Sequence, residues 1–176
     1  MAVFKSNDER VMFLNDSTLL FPEITTDNRS LEELIESVIA KGYRIDKFSR
    51  EILDNEKEAL VATDSKKIRL AVVRGHPYSD CVSPPTANAF AYNAKLSRPS
   101  LRDTLYLCEL LSSINLERFK VRLLFVMHEP VLLPRVTGKE HLLWIGFGDG
   151  EKVLAAFYYN EGDIYYQNTG YAFFLP

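Results

Sequence analysis

The chain is poor in the residues that usually announce chemistry. Only two cysteines, Cys81 and Cys108, occur in 176 residues, and neither stands in a CxxC or other metal-ligand spacing. That argues against a disulfide-stapled fold or a zinc ribbon, and predicts two reduced thiols in a cytoplasmic protein. The three histidines, His76, His128 and His141, make no HxH, HxxxH or HExxH pattern, so no metal and no cofactor is implied. No apolar run is long enough to span a bilayer, and the opening MAVFKSNDER lacks the apolar core of a secretory signal, so no membrane partner is expected. Cations run out near the C-terminus. From His141 onward only Lys152 is basic, against Asp149, Glu151, Glu161 and Asp163. Such a stretch makes a poor surface for a phosphate backbone, where clustered Lys and Arg supply the affinity.

What is present suits an ordinary globular chain. Hydrophobic residues make up 47% and charged residues 26%, with a net charge of −3 that specifies no partner. A chain of this length buries roughly 70% of its unfolded surface, so one domain over residues 1–176 is expected. Val11–Leu14 and Thr18–Phe21 predict a hairpin, stopped by Pro22. Ser30 and Glu33 form a capping box before Leu31, Leu34, Ile35, Val38 and Ile39, an apolar stripe at helical spacing that Gly42 ends. Strands are predicted at Tyr43–Phe48, Leu60–Thr63 and Ile68–Val73, the last two joined by a turn at Asp64-Ser65-Lys66. The proline-punctuated stretch 75–99 leaves room for a helix at Thr86–Leu96, and Ser100 with Asp103 opens another running to about Ile114. A long strand at Phe119–Met127 follows, then strands at His141–Phe147, Val153–Tyr159, Ile164–Gln167 and Tyr171–Leu175, separated by Gly- and Asn-containing turns. The fold class is therefore α+β: a mixed, mainly antiparallel sheet with two or three helices packed on it and a C-terminal β-meander.

Several clusters invite a chemical reading. His128-Glu129 ends the long strand, a position from which side chains project into sites for acid–base or metal work. The loop His76 to Cys81 places a thiol near an imidazole and Asp80, but no glycine turn or helix N-terminus marks the thiol as activated. Gly146-Phe147-Gly148-Asp149-Gly150 lies between two strands with no helix after it, so it is a hairpin turn rather than a phosphate cradle. Helix, strands, helix and strand over residues 30–127 resemble the core of the restriction-endonuclease-like fold. That resemblance implies a divalent metal held by an acid on one strand and an acid-x-Lys triad on the next. The matching residues are Asp64 and Lys66, with Asp46 or Asp54 upstream; the strand Ile68–Val73 departs from the pattern by carrying no acid.

Two surface patterns remain. Arg118, Lys120 and Arg122 alternate with apolar residues, as do Lys67 and Arg69, so neighbouring strands here would gather five cations for an anionic partner such as nucleic acid. Ten of the 21 aromatic residues fall after position 140, in a stretch almost free of Lys. Tyr and Trp anchor protein interfaces and Lys is depleted there, so Trp144, Tyr159, Tyr166 and Tyr171 are the candidate partner-binding residues. Three functions are thus expected in order. The first is a protein-binding module such as a small inhibitor, immunity-type or assembly protein. The second is a metal-dependent nuclease or hydrolase built on Asp46, Asp64, Lys66, His128 and Glu129. The third is a nucleic-acid binder using the five cations. No catalytic set is complete, which leans the reading away from an enzyme.

Overall fold

A computed structural model describes residues 4–5, 11–15, 17–55, 65–74, 83–133, 138–148, 150–159 and 168–175. The elements in chain order are β1 (Phe4–Lys5), β2 (Met12–Asn15), β3 (Thr18–Thr25), α1 (Leu31–Ala40), β4 (Tyr43–Ile45), α2 (Lys47–Asn55), β5 (Lys67–Arg74) and α3 (Pro84–Asn93). Then come α4 (Leu101–Leu111), a 3-10 turn at Leu116–Phe119, β6 (Leu123–Val126), β7 (Val131–Leu133), β8 (Lys139–Gly148), β9 (Glu151–Tyr158) and β10 (Thr169–Phe174). The fold is α+β with a mixed, mostly antiparallel sheet.

Local signals explain the helices. Ser30 and Ser100 each accept a bond from the third helical N–H, and the Glu33 and Asp103 carboxylates each accept one from the cap N–H, so both capping boxes close. Gly42, at φ +86°, turns the chain after α1, as glycine does at no steric cost. Ser83 caps α3, whose first two residues are Pro84 and Pro85; their missing N–H groups have no helical acceptor there anyway.

Four expectations need correction. Pro22 does not end its strand: β3 continues to Thr25, and the register slips between Leu20 and Glu23, a bulge that removes the need for a ladder N–H at Pro22. The strand expected at Tyr43–Phe48 stops at Ile45, because Asp46 caps α2. The long strand Phe119–Met127 is only Leu123–Val126. Asn115 Oδ1 accepts the Glu117 N–H at 3.0 Å and winds a 3-10 turn, and Lys120 then reverses the chain at φ +57°. Finally, the condition for gathering the five cations on one face is not met, because β10 separates β5 from β6. Leu60–Thr63, Asp64 and Ile164–Gln167 lie outside the described residues.

The strand order is β1-β2-β3-β5-β10-β6-β8-β9-β4, with β7 on the first half of β8. β10 runs antiparallel to β5 and parallel to β6; β4 runs parallel to β9. Alternation along the strands makes two buried faces. On the first, Leu70, Val72, Leu124, Val126, Leu143, Ile145 and Phe174 pack with α1, α2 and α4. On the second, Val73, Phe125, Leu142, Tyr171 and Phe173 pack with Ala87 and Ala91 of α3. Among the described residues no helix is long and apolar enough to cross a membrane.

Candidate functional site

The second face is aromatic, and α3 covers only part of it. In β8 the residues pointing to this face are Leu142, Trp144, Gly146 and Gly148, since Leu143 and Ile145 belong to the other core. Leu123 in β6 stands opposite Gly146, Gly146 opposite Val153 in β9, and Val153 opposite Arg44 in β4. Four strands therefore set Leu123, Gly146, Val153 and Arg44 in one row. Glycine leaves a dent in that row, and the indole of Trp144 leans into it: a Cβ on residue 146 would collide with Trp144 Cζ3. Gly146 is there because the ring needs the space.

The result is an open hollow of about 410 Å³ with Trp144 half-buried in its floor and no α3 residue in its lining. That volume is within the range of sites that seat a side chain or small ligand. Leu123 and Val153 supply apolar walls; Arg44, Arg122, Glu151 and Asn168 supply the polar ones. Arg122 is placed by its backbone, whose N–H bonds Asn168 O at 2.7 Å and whose carbonyl accepts from Phe147 N at 2.8 Å. Its guanidinium pairs with Glu117 at 3.2 Å, an exposed contact of little worth. Arg44 is exposed and has no ion-pair partner among the described residues. The C-terminal strands, whose own lysines Lys139 and Lys152 do not line the hollow, thus acquire two arginines from elsewhere in the chain.

The other candidate residues fall in different roles. Tyr171 is buried under α3, stacked on Phe125 with centroids 6.0 Å apart, so it is core and not the exposed anchor expected. Tyr159 is half-buried and packs against the same second-face cluster; Tyr166 lies outside the described residues. Arg118 sits in the 3-10 turn, Lys120 at the reversal and Arg122 beside the hollow, so the three do not share a strand face. Lys67 pairs with Glu23 at 3.1 Å, and Arg69 donates to Phe21 O at 3.1 Å. With β10 between β5 and β6, the five cations lie on separate elements, and two of them, Lys67 and Arg122, are in ion pairs.

The acid–base candidates also have structural partners. His128 is buried; its Nε2 accepts the Leu143 N–H at 2.9 Å and its Nδ1 donates to Glu129 O at 2.6 Å. Both ring nitrogens are used to tie the end of β6 to β8, and burial pushes the imidazole pKa down to about 4. Glu129 is exposed and meets Arg98 at 3.1 Å. Asp46 Oδ1 accepts the Ser49 N–H at 2.6 Å and Oδ2 the Ala156 N–H at 3.4 Å, which makes it a helix cap bound to β9. Lys66 reaches Asp103 at 3.1 Å, the carboxylate of the α4 capping box. Asp54 pairs with Arg50 at 3.0 Å. Asp64 lies outside the described residues, and among those described no three His, Cys, Asp or Glu side chains gather as metal ligands. Cys108 is a buried free thiol whose pKa burial raises well above the ordinary value.

The densest charged cluster lies on the first face. Arg29 bonds both oxygens of Glu109 at 2.8 Å and Asp27 at 2.8 Å, while Tyr106 donates to Asp27 O at 2.7 Å. Burial alone pushes Glu109 up, but hydrogen bonds from Arg29 and Ser37 outweigh it and hold the carboxyl below its usual range. These groups satisfy one another and fasten the segment before α1 to α4. Arg44, Leu123, Gly146 and Val153 were missed by sequence reasoning, because only the strand pairing brings them together; alternation in β8 alone would have put Gly146 beside Trp144. Compared with known proteins, the chain matches no family model, no curated protein and no solved structure.

Proposed function

We propose that the chain is a protein-binding module of the cytoplasm that docks a partner in the hollow around Trp144. One observation carries this reading: the only tryptophan of the chain is left half-buried in an open apolar dent, although the same face has a helix to cover its other rings. Tryptophan and arginine are the residues that most often dominate protein interfaces, and here one Trp stands with two Arg beside it. The free, buried Cys108 suits a reducing compartment. The nuclease and nucleic-acid readings lose support, since Asp46 caps α2, Asp54 and Lys66 are in ion pairs, His128 bridges β6 to β8 and the cations lie on separate elements.

The test is retention of native partners on an immobilised chain. Trp144→Ala is expected to cut retention by about tenfold or more, as loss of an interface anchor does. Lys67→Ser, at a distant part of the sheet, should change nothing. Equal retention by the wild type and the Trp144 variant, with far-UV circular dichroism preserved, refutes the proposal.

A further inference from the structure

The hollow also carries information about what it accepts. Its lining includes two arginines, Arg44 and Arg122, and one glutamate, Glu151, and of the two arginines Arg44 has no ion-pair partner among the described residues. Arg44 and Arg122 both line the hollow together with Leu123, Trp144 and Val153, and neither belongs to the C-terminal strands that form most of it. Glu151 stands toward the β8–β9 turn, on the same face two residues before Val153. Glu117, which holds Arg122, is outside the lining, and that exposed pair is readily exchanged for another carboxylate.

We infer that the docked segment is an acidic peptide stretch bearing one bulky apolar side chain. The apolar group sits on Trp144 between Leu123 and Val153, and carboxylates on either side of it reach Arg44 and Arg122. Arginine suits this role because its planar fork binds a carboxylate through two parallel hydrogen bonds. A nucleic-acid strand fits less well. Strands of bases need successive stacking rings and a track of cations, and the hollow offers one half-buried indole and no lysine. A second copy of the chain fits less well too, since a two-fold contact through this hollow would bring the arginines of both copies together.

This inference rests on the protein-binding reading and is tested separately from it. Because Trp144 is the sole tryptophan, its emission reports the hollow directly. The probe is a blocked pentapeptide with one central Phe and two acidic residues on each side. Its titration into the full chain should change the emission saturably. The analogue with Gln and Asn in place of the acids should bind about tenfold more weakly, and Arg44→Gln should weaken the acidic peptide by a factor of about five or more. High salt should weaken it as well, which checks the charge contribution without any substitution. Equal binding of the acidic and neutral peptides overturns the inference, as does an emission unmoved by the acidic peptide. An oligothymidylate that binds more tightly than the peptide, or an emission that changes only with the chain's own concentration, overturns it in favour of nucleic acid or a second copy. If the peptide fails while partner retention still depends on Trp144, the occupant's chemistry is wrong and the docking site stands; if retention is indifferent to Trp144, both fall.

Discussion

His128 shows how a residue type suggestive of catalysis can be spent on architecture. Each ring nitrogen has one backbone partner, Leu143 N–H for Nε2 and Glu129 O for Nδ1, and the acceptor role of Nε2 requires a neutral ring. In the unfolded chain the imidazole takes a proton below its ordinary pKa, while the folded chain resists until about pH 4. The folded pKa is depressed, so this contribution to stability is full above about pH 6.5 and is lost as the pH falls toward 4. The loss amounts to about 3 kcal/mol over that window. Denaturant unfolding at pH 7, 5.5 and 4 should show His128→Gln less stable than wild type at pH 7, with the difference shrinking toward pH 4. A pH-independent difference would contradict the assignment. From sequence, a histidine at a strand end before an acid looks like a site, because nothing local reveals that Leu143, fifteen residues on, points its N–H at the ring.

Among the elements, what was legible followed from local chemistry. Ser30 with Glu33 and Ser100 with Asp103 mark two helices whose caps and stripes lie within a few residues of each other, so they can be read without the fold. The helix α2 escaped because it buries only Ser49, Ile52 and Leu53 and has no basic residue in its last turn, leaving Asp46 as its one clear signal. Asp46 also accepts from Ala156 in β9, so it joins the start of α2 to the sheet. Asp46→Ala should cost about 1–2 kcal/mol, the usual value of a lost N-cap. Asp46→Asn should recover most of it, since the amide oxygen still accepts from Ser49. Urea unfolding midpoints measure both, and an unchanged midpoint for the alanine variant would rule out the cap as a support. The same limit hid the hollow: Arg44 and Trp144 are 100 positions apart and meet only because β4 lies parallel to β9.

Across the whole molecule, β10 holds the two halves of the sheet together. Its odd-numbered residues Tyr171 and Phe173 feed the second core, and Ala172 and Phe174 the first, so one strand of six residues serves both. Phe173→Ala should therefore destabilise the fold by about 3–5 kcal/mol, as the removal of a buried ring does. Far-UV and near-UV signals should fall in one transition, and separate transitions would show that the halves stand apart. Sequence patterning anticipated a C-terminal run of strands; it held no information on where in the sheet the last of them would lodge, since register between segments nearly a hundred residues apart leaves no local trace. That placement has a consequence for biosynthesis. β5 and β6 are made long before Thr169–Phe174 leaves the ribosome, and through that interval each keeps a bare edge of unpaired amides and carbonyls. The nascent chain must wait for its keystone, and during the wait it is a natural client for any chaperone that shields open strands.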